Sequence, residues 1–316
     1  MPMSRRTIWI LSALFVLLVA GGCLVPLQSN VRELVEFNSN SDALFRQLLR
    51  DSTWHQWWPG DEKKIGTKRA FECDGFTFTI DDVLQNAFRW TATRGSFKTT
   101  SSLNLSATTN GKVAAALVSA IDVRHDPLGR INDLTMSSDL KAAYKKILGA
   151  LSTHFSLVKN LYDVDIKVSN VTFEYITTTS QTFAHEPTLP EIYSMIGEVR
   201  KYVKANHGTE GGHPMLHVSK FGPKEFFTQV GIPTDTALTE SKSMKSKWML
   251  KGGFIVVADV KGNRRIIANA KKQVENFIFD NRKRTVAIPY EYLITDRLQQ
   301  PDSSQWLTQL YYPVIL

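Results

Sequence analysis

Cysteine is scarce in this sequence, which has only Cys23 and Cys73 among its 316 residues. Two cysteines cannot form the framework of several disulfides that stabilises small secreted domains. The seven histidines include no His-Glu-x-x-His motif. His213 and His217 are four residues apart, but they lie at a predicted strand edge, and no Cys-x-x-Cys pair accompanies them. The sequence therefore indicates no metal site, and no motif in it points to a cofactor.

Motifs for nucleotide binding and for a serine nucleophile are also absent. There is no Gly-x-Ser-x-Gly elbow and no phosphate-binding loop. The net charge of +8 comes from 38 lysines and arginines against 30 acidic residues, but the basic residues are scattered along the chain. Because no recognised nucleic-acid-binding motif accompanies the charge, we interpret it as a solvated basic surface, one that could face anionic lipid, and expect no nucleic-acid partner.

Strongly polar, biased stretches are missing as well, since 43% of the residues are hydrophobic and 22% are charged. A chain of this length has room for two domains, each with its own core, after an N-terminal apolar segment. We assign residues 1–28 to that segment, residues 29–160 to a first domain and residues 161–316 to a second. Both domains combine helices with antiparallel strands, so the predicted fold class is α+β.

The N-terminal segment from Thr7 to Leu27 contains 21 residues without a charge. That length is sufficient for a transmembrane helix, and the preceding Arg5 and Arg6 favour a cytoplasmic N-terminus. The pattern predicts a single-pass membrane protein, with the membrane as a partner and the bulk of the chain extracytoplasmic. A cleaved signal peptide and a lipoprotein signal ending at Cys23 remain open alternatives.

The first domain shows several strands followed by one long helix. Val31–Phe37 alternates as a half-buried strand does, and a short helix follows it. Closely spaced alternating runs then predict an antiparallel sheet, and these runs are Phe76–Ile80, Phe88–Thr93, Phe97–Leu105 and Val113–Ile121. Apolar residues at helical spacing predict a final amphipathic helix from Ser138 to Leu161.

This order of elements, with Trp54-His55-Gln56-Trp57-Trp58-Pro59 after the short helix, resembles the START-like or polyketide-cyclase-like helix-grip fold. The resemblance implies a cavity between sheet and helix, which that superfamily uses for lipids and other apolar molecules. Trp90, on one of the predicted strands, is a candidate ligand contact. The alternative is that Trp54, Trp57 and Trp58 only fill the core, as large aromatic side chains usually do.

The second domain contains an internal repeat. Adding 75 to the positions of five residues gives the same residue class each time, and the pairs are Ile192 and Ile267, Val199 and Val274, Tyr202 and Phe277, Val203 and Ile278, and Pro214 and Pro289. Each copy has the pattern strand, helix, two strands. The opening segments are Asp165–Thr179 and Trp248–Val260, and the helices are Leu189–Ala205 and Ile266–Phe279. Two such units predict one sheet with both helices on one face and a concave opposite face.

The motifs are Ile176–Phe183 with Leu189-Pro190 in the first copy, and Pro289-Tyr290-Glu291-Tyr292, Trp306-Leu307-Thr308 and Tyr312-Pro313 in the second, of which the Glu291 strand with the Trp306-Leu307-Thr308 ending is the most specific. They resemble the GyrI-like, or AraC-type effector-binding, domain over most of the second domain. The resemblance implies a pocket in which a strand glutamate meets aromatic or cationic ligands, and Glu291 stands at that position. One departure is that Arg264 and Arg265 follow Gly262, where the family usually has an aromatic residue.

Period-two alternation places Glu291 with Leu293 on one face of its strand, and Tyr290 and Tyr292 on the other. A carboxylate on the concave face would be desolvated and would need a cation or hydrogen-bond donors. The alternative is that Glu291 pairs with an ordinary surface lysine or arginine. The aromatic residues that we predict to contact a ligand in this domain are Tyr193, Trp248, Tyr290, Tyr292, Trp306 and Tyr312.

The sequence therefore predicts a membrane-anchored binding protein for a small apolar, aromatic or cationic ligand, with Glu291 as the charge partner in the pocket. No catalytic residue is assigned. Two alternatives remain open. One is a hydrolase of a small reactive molecule that uses Glu291 with Tyr311 or Tyr312 in the same pocket. The other is a lipid-binding or interaction module without small-molecule activity.

Overall fold

The computed structural model describes residue 9 and residues 28–65, 68–109, 111–123 and 126–315. The fold class is α+β, as predicted, and the chain divides into two compact units, one ending at Leu157 and one spanning Val158–Leu316. No helix among the described residues is long and apolar enough to cross a membrane. The predicted anchor at residues 1–28 lies almost entirely outside the described residues, so it stays a prediction.

From residue 28 onward, the described part of the first unit contains one antiparallel sheet and two α-helices. Its strands are β1 (Gln28–Phe37), β2 (Glu62–Ile65), β3 (Lys68–Cys73), β4 (Phe76–Leu84), β5 (Ala87–Arg94), β6 (Phe97–Ala107) and β7 (Val113–Asp122), and its helices are α1 (Ser41–Leu48) and α2 (Pro127–Phe155). The sheet order is β1-β7-β6-β5-β4-β3-β2, so β2 to β7 form a meander and β1 pairs with its last strand. Strands β2 and β3 were not predicted from the sequence, and β2 is a short, mostly exposed edge strand without apolar alternation.

Helix α2 differs from the predicted helix of residues 138–161 at both ends. It begins at Pro127, where the Asp126 carboxylate caps the first turn by accepting a backbone N–H at 2.6 Å. The prediction missed this first part because its buried positions among the described residues, Gly129, Asp133 and Ser137, carry no large apolar side chains. At the other end α2 stops at Phe155, and a separate helix, α3 (Val158–Tyr162), opens the second unit.

Aromatic side chains fill the core of the first unit. Trp54 and Trp90 are fully buried with ring centroids 6.0 Å apart, and Trp58 stacks on Trp54 at 5.9 Å. Trp57 contacts Phe155 of α2 edge-on at 6.0 Å. These tryptophans, which the resemblance placed beside a cavity, are therefore packed core residues. Trp90 lines neither of the two cavities described below.

A buried hydroxyl cluster connects α2 to the sheet. The Tyr144 hydroxyl lies 2.5 Å from the Oγ atoms of both Ser101 on β6 and Ser119 on β7. The two serine hydroxyls also bond each other at 2.9 Å. Burial raises the pKa of the Tyr144 hydroxyl, so it stays a neutral hydrogen-bonding group. These contacts fix the depth at which the apolar face of α2 meets the sheet.

The second unit is one antiparallel sheet with two long helices. Its strands are β8 (Asp165–Asn170), β9 (Tyr175–Phe183), β10 (Met215–Gly222), β11 (Glu225–Thr234), β12 (Lys245–Trp248), β13 (Phe254–Lys261), β14 (Arg284–Thr285), β15 (Tyr290–Leu293) and β16 (Leu307–Ile315), and its long helices are α4 (Leu189–Ala205) and α5 (Arg264–Asp280). The main path of the sheet is β12-β9-β11-β10-β15-β16-β13-β8. From the centre of the sheet outward, the first repeat contributes β10, β11 and β9. The second repeat contributes the equivalent strands β15, β16 and β13 in the same order.

The two repeat helices begin at capped positions. Thr188 forms a capping box with Glu191 before α4, and the Asn263 side chain accepts two backbone N–H groups at the start of α5. The first residues of the two helices, Leu189 and Arg264, are 75 positions apart, and each helix has 17 residues. The structure thus places the repeat helices where the sequence predicted them, to within two residues.

Both opening segments of the repeats are interrupted, which the sequence analysis did not predict. Residues 165–179 are divided between β8 and β9. The predicted run from Trp248 to Val260 breaks after Trp248, and the chain turns through Gly252, whose φ is +84°, before β13 begins at Phe254. A positive φ of this kind favours glycine, so Gly252 marks the turn. In the second segment the adjacent Gly252 and Gly253 are a turn signal that the prediction did not use.

We expect Tyr144→Phe to lower the free energy of unfolding by about 1–2 kcal/mol, because Ser101 and Ser119 then keep only each other as partners. Equilibrium unfolding in urea measures the change. Thr100→Val is the control, since Thr100 is an exposed neighbour on β6, and it should change the free energy by no more than about 0.5 kcal/mol. Equal losses in the two variants would contradict a specific role for the hydroxyl cluster.

Candidate functional site

The two repeats of the second unit meet at strands β10 and β15. These strands pair antiparallel with Leu216 directly opposite Glu291. The two residues occupy equivalent positions of the repeats, since Leu216 and Glu291 are 75 residues apart. The centre of the sheet thus carries an apolar side chain on β10 and a carboxylate on β15.

Glu291 lies on the face of the sheet that carries the helices. Leu216, beside it, packs in one cluster with Ile192 and Ile196 of α4. Leu293 joins the same cluster, as alternation along β15 predicts. The sequence pattern predicted that Glu291 would lie on a concave face opposite the helices, whereas the structure places Glu291 and the cavity beside it on the helix face. Alternation fixes which residues share a face but not which face the helices cover.

Two cations of the chain itself bind the Glu291 carboxylate. Arg297 donates from Nη2 to Oε2 at 2.7 Å, and the Lys271 ammonium lies 2.9 Å from Oε1. The side chain of Arg297 is only 4% exposed and that of Glu291 11%, whereas that of Lys271 is 35% exposed. The Glu291–Arg297 pair is therefore an internal ion pair, and Lys271 joins it from the rim.

Further contacts hold Arg297 in place. Its Nη2 also donates to Thr308 Oγ1 at 2.9 Å, and its backbone N–H donates to the Tyr193 hydroxyl at 2.6 Å. The guanidinium carbon lies 5.1 Å from the centre of the Trp306 ring, within the range of a cation–π contact. Tyr193 lies on α4, Trp306 in the loop between β15 and β16, and Thr308 on β16, so the arginine is bound from several directions.

The charges around Glu291 control its protonation. Burial alone would raise the pKa of the carboxyl, but the Lys271 ammonium and the Arg297 guanidinium together hold it below its ordinary value. Glu291 is therefore ionised at neutral pH, and each of its two oxygens has a cationic partner. Such a carboxylate neither accepts a proton easily nor has a free charge for a ligand.

A cavity of about 240 Å³ lies beside this ion pair, between α4, α5 and the sheet. We call it the helix-side cleft. Its apolar wall is mostly aliphatic and is formed by Pro187, Ile192, Leu216, Val218, Ile267 and Ala268, with Phe226 as an aromatic member. Four cationic side chains line it against two acidic ones, and these are Lys220, Arg264, Lys271 and Arg297, and Glu186 and Glu291. The cleft therefore combines aliphatic walls with an excess of positive charge.

The predicted aromatic residues separate into three groups. Tyr193 and Trp306 contact Arg297, so they support the ion pair. Tyr312 shares the helix face and donates to Glu275 at 3.4 Å. Tyr290, Tyr292 and Trp248 do not face the cleft, because alternation turns the tyrosines to the opposite face and Trp248 lies on the edge strand β12. None of these aromatic residues lines the cavity next to Glu291.

Lys271 and Arg297 were missed by the sequence analysis. For Lys271 a signal existed, since it lies four residues after Ile267 and three before Val274, which places it on the buried stripe of α5. Arg297 lies in a loop without periodicity, so its sequence position gave no signal. Of the two arginines after Gly262, Arg264 lines the cleft and pairs with Glu186 at 3.2 Å, while Arg265 does not line it.

No protein-family model and no curated protein matches this chain. Among solved structures, the C-terminal domain of EcmrR matches 48% of this chain and 98% of its own, at 15% identity and a TM-score of 0.41. A hydrolase from Listeria innocua matches 48% of this chain and 91% of its own, at 12% identity and a TM-score of 0.36. A START superfamily protein from Mycobacterium smegmatis matches 40% and 96%, at 10% identity and a TM-score of 0.30. Similarities of this size assign neither a family nor a function.

Replacing Glu291 by Gln should lower the free energy of unfolding by about 3 kcal/mol at neutral pH, because Arg297 is then buried without a charge partner. Lys271→Gln should cost about 1 kcal/mol or less, since the Lys271 side chain is 35% exposed. Urea unfolding of both variants and the wild type measures the two changes. A smaller loss for Glu291→Gln than for Lys271→Gln would contradict the assignment of Arg297 as the main partner.

The effect of Glu291→Gln should also depend on pH. The pKa of Glu291 in the folded state lies below its ordinary value of 4.5, so its stabilising contribution is complete above that value. The contribution is lost as the pH falls through the folded-state pKa, because the unfolded chain binds the proton first. The stability difference between wild type and variant should therefore be constant near neutral pH and shrink below pH 4.5. A stability difference that grows as the pH falls would contradict a lowered pKa of Glu291.

Proposed function

We propose that the second unit binds a small, mostly aliphatic molecule with an acidic group in the helix-side cleft. The observation that carries the proposal is that both oxygens of Glu291 are bound by cations of the chain while further cations line the same cavity. A volume of about 240 Å³ suits a small ligand, since pockets for drug-sized molecules span roughly 300–1,000 Å³.

The aliphatic walls would provide most of the affinity. Each buried methylene group contributes about 0.8 kcal/mol, and the apolar wall of the cleft consists mainly of branched aliphatic side chains. An acidic group on the ligand would meet Lys271, which is already oriented by Glu291, and Lys220, which lies over the Phe226 ring at 5.5 Å. Glu291 thus acts as a charge partner through the lysine and not by contact with the ligand.

A cationic ligand, which the sequence analysis included, would have to displace the Lys271 ammonium from Glu291. That exchange gives no net gain of charge pairing and leaves the lysine without its carboxylate. Hydrolysis with Glu291 as a general base would need a raised pKa, whereas the two cations lower it. Among the described residues the arrangement therefore favours binding of an acidic ligand over both of these alternatives.

The anchor and the extracytoplasmic location are also part of the proposal. They are supported by the uncharged run of 21 residues from Thr7 to Leu27 and by Arg5 and Arg6 before it. The proposed partners are therefore a small molecule and the membrane, without nucleic acid. Extraction of membranes with alkaline carbonate tests the anchor, because a chain held by a transmembrane helix stays in the pellet and a peripheral one is released.

Titration calorimetry of the purified full-length chain with octanoate and n-octylammonium tests the ligand class. These probes share their aliphatic chain and differ in charge, and we expect octanoate to bind more tightly. Lys271→Gln should weaken octanoate binding roughly tenfold. The same variant should strengthen n-octylammonium binding, because Glu291 Oε1 loses its lysine partner.

The matched control is Lys272→Gln, one residue further along α5, which is exposed and does not line the cleft. It should change both affinities less than twofold, which is the range of a remote surface charge at ordinary salt. Tighter binding of n-octylammonium than of octanoate to the wild type would show that the cleft selects cations. Absence of binding by both probes would contradict the proposal as a whole.

A further inference from the structure

A second cavity opens on the face of the sheet opposite the helix-side cleft. It has a volume of about 200 Å³ and is lined from strands β9, β10, β11, β12 and β15. The two cavities share strand β10, which presents Leu216 and Val218 to the cleft and Met215 and His217 to this one. We call it the open-face cavity, and alternation along β10 keeps it separate from the Glu291 site.

The walls of the open-face cavity differ in chemistry from those of the cleft. They contain Trp248, Tyr290, Met215 and Met249 beside the aliphatic Ile176 and Ile288, so aromatic rings and thioethers form a larger part of the wall than in the cleft. Trp248 is 64% exposed, so most of its ring is accessible to a ligand. Flat aromatic walls and polarisable methionines suit a planar ligand more than a flexible chain.

Gly231, in the middle of β11, leaves part of the cavity wall without a side chain. A Cβ atom at Gly231 would lie 2.8 Å from Cγ2 of Ile176 and 3.0 Å from Cγ2 of Thr178, so a side chain there would displace its neighbours. All three residues line the cavity. Glycine inside a strand often marks a place where a ligand or another backbone approaches closely.

Polar groups without partners point to a ligand with an acidic group. No acidic side chain lines this cavity, and within the described part of the chain Lys247 forms no ion pair or hydrogen bond, whereas its strand neighbour Lys245 pairs with Glu240 at 3.1 Å. Partial burial lowers the pKa of Lys247. The Tyr290 hydroxyl is buried and lacks a hydrogen-bond partner among the described residues. The buried Tyr290 hydroxyl and the exposed Lys247 ammonium are therefore two donors on the same cavity, and neither has a partner in the described part of the chain.

His217 adds a third polar group. Its Nδ1 donates to the Pro289 carbonyl at 2.7 Å, because only a protonated ring nitrogen can bond a carbonyl oxygen. Burial lowers the pKa of His217, so the neutral ring with a free lone pair on Nε2 is favoured. Glu174, a carboxylate near Trp248, accepts the indole Nε1–H at 3.4 Å and does not line the cavity. The charge facing the cavity is therefore positive.

We propose that the open-face cavity is a second binding site, specific for a planar aromatic molecule with an acidic group. The ring lies against the Trp248 and Tyr290 side chains, and the acidic group meets the Lys247 ammonium and the Tyr290 hydroxyl. This site is independent of the proposed function of the helix-side cleft, since the two cavities share no residue.

The test is calorimetric titration of the full-length chain with naphthalene-2-carboxylate, and with naphthalene-2-carboxamide as its neutral counterpart. The carboxylate should bind more tightly than the amide. Lys247→Gln should weaken carboxylate binding roughly tenfold and leave amide binding within twofold, so that the preference disappears. Tyr290→Phe should weaken carboxylate binding several-fold, as the loss of one hydrogen bond does.

Lys245→Gln is the matched control, because Lys245 lies on the same edge strand and face but does not line the cavity. It should leave the carboxylate affinity within twofold. The proposal is overturned if Lys247→Gln and Lys245→Gln behave alike, or if the wild type binds neither naphthalene. It is equally overturned if Lys271→Gln, on the other face, abolishes carboxylate binding while Lys247→Gln does not, since the probe then occupies the helix-side cleft.

Discussion

The buried ion pair between Glu291 and Arg297 is the interaction on which the second unit depends. Removing a carboxylate and a guanidinium from water costs several kcal/mol per ion, so the pair is tolerated only with close geometry and additional hydrogen bonds. Thr308, Tyr193 and the Trp306 ring supply them. Because these partners come from α4, β16 and the loop after β15, the ion pair requires the two repeats to close on each other. The contacts that hold the arginine thus also define the inner end of the helix-side cleft.

The two copies of the internal repeat differ at Leu216 and Glu291 and at Ile196 and Lys271, which makes the site asymmetric. The strands β10 and β15 meet at the centre of the sheet, and the equivalent residues Leu216 and Glu291 lie opposite each other. Two leucines there would make a closed apolar contact, whereas the leucine and the carboxylate leave an apolar half and a charged half. The excess of cations around Glu291 is the basis of the proposed preference for acidic ligands.

The sheet of the second unit separates two chemically different surfaces. The side chains on the face that the helices cover are mainly aliphatic. Those on the opposite face include Tyr290, Tyr292 and Tyr311. Tyr290 stacks on Tyr311 with ring centroids 5.3 Å apart, which fixes one wall of the open-face cavity. In the first unit, by contrast, Trp54 and its aromatic neighbours occupy the core. The two cavities described above both lie in the second unit.

Local periodicity by itself determined the α+β class, the repeat, the helices at Leu189 and near Ile266, and the assignment of Glu291 and Tyr290 to opposite faces. These properties depend on residue spacing along one element, which the sequence contains directly. Only the tertiary structure decided which face of the sheet the helices cover. It also showed that Lys271 and Arg297 neutralise Glu291, the predicted charge partner of the ligand. In the structure Trp248 and Tyr290 line the open-face cavity instead of the cleft beside Glu291, and Trp90 is buried in the core of the first unit. Each of these outcomes is a contact between elements distant in sequence, and no pattern within a single strand or helix specifies such a contact.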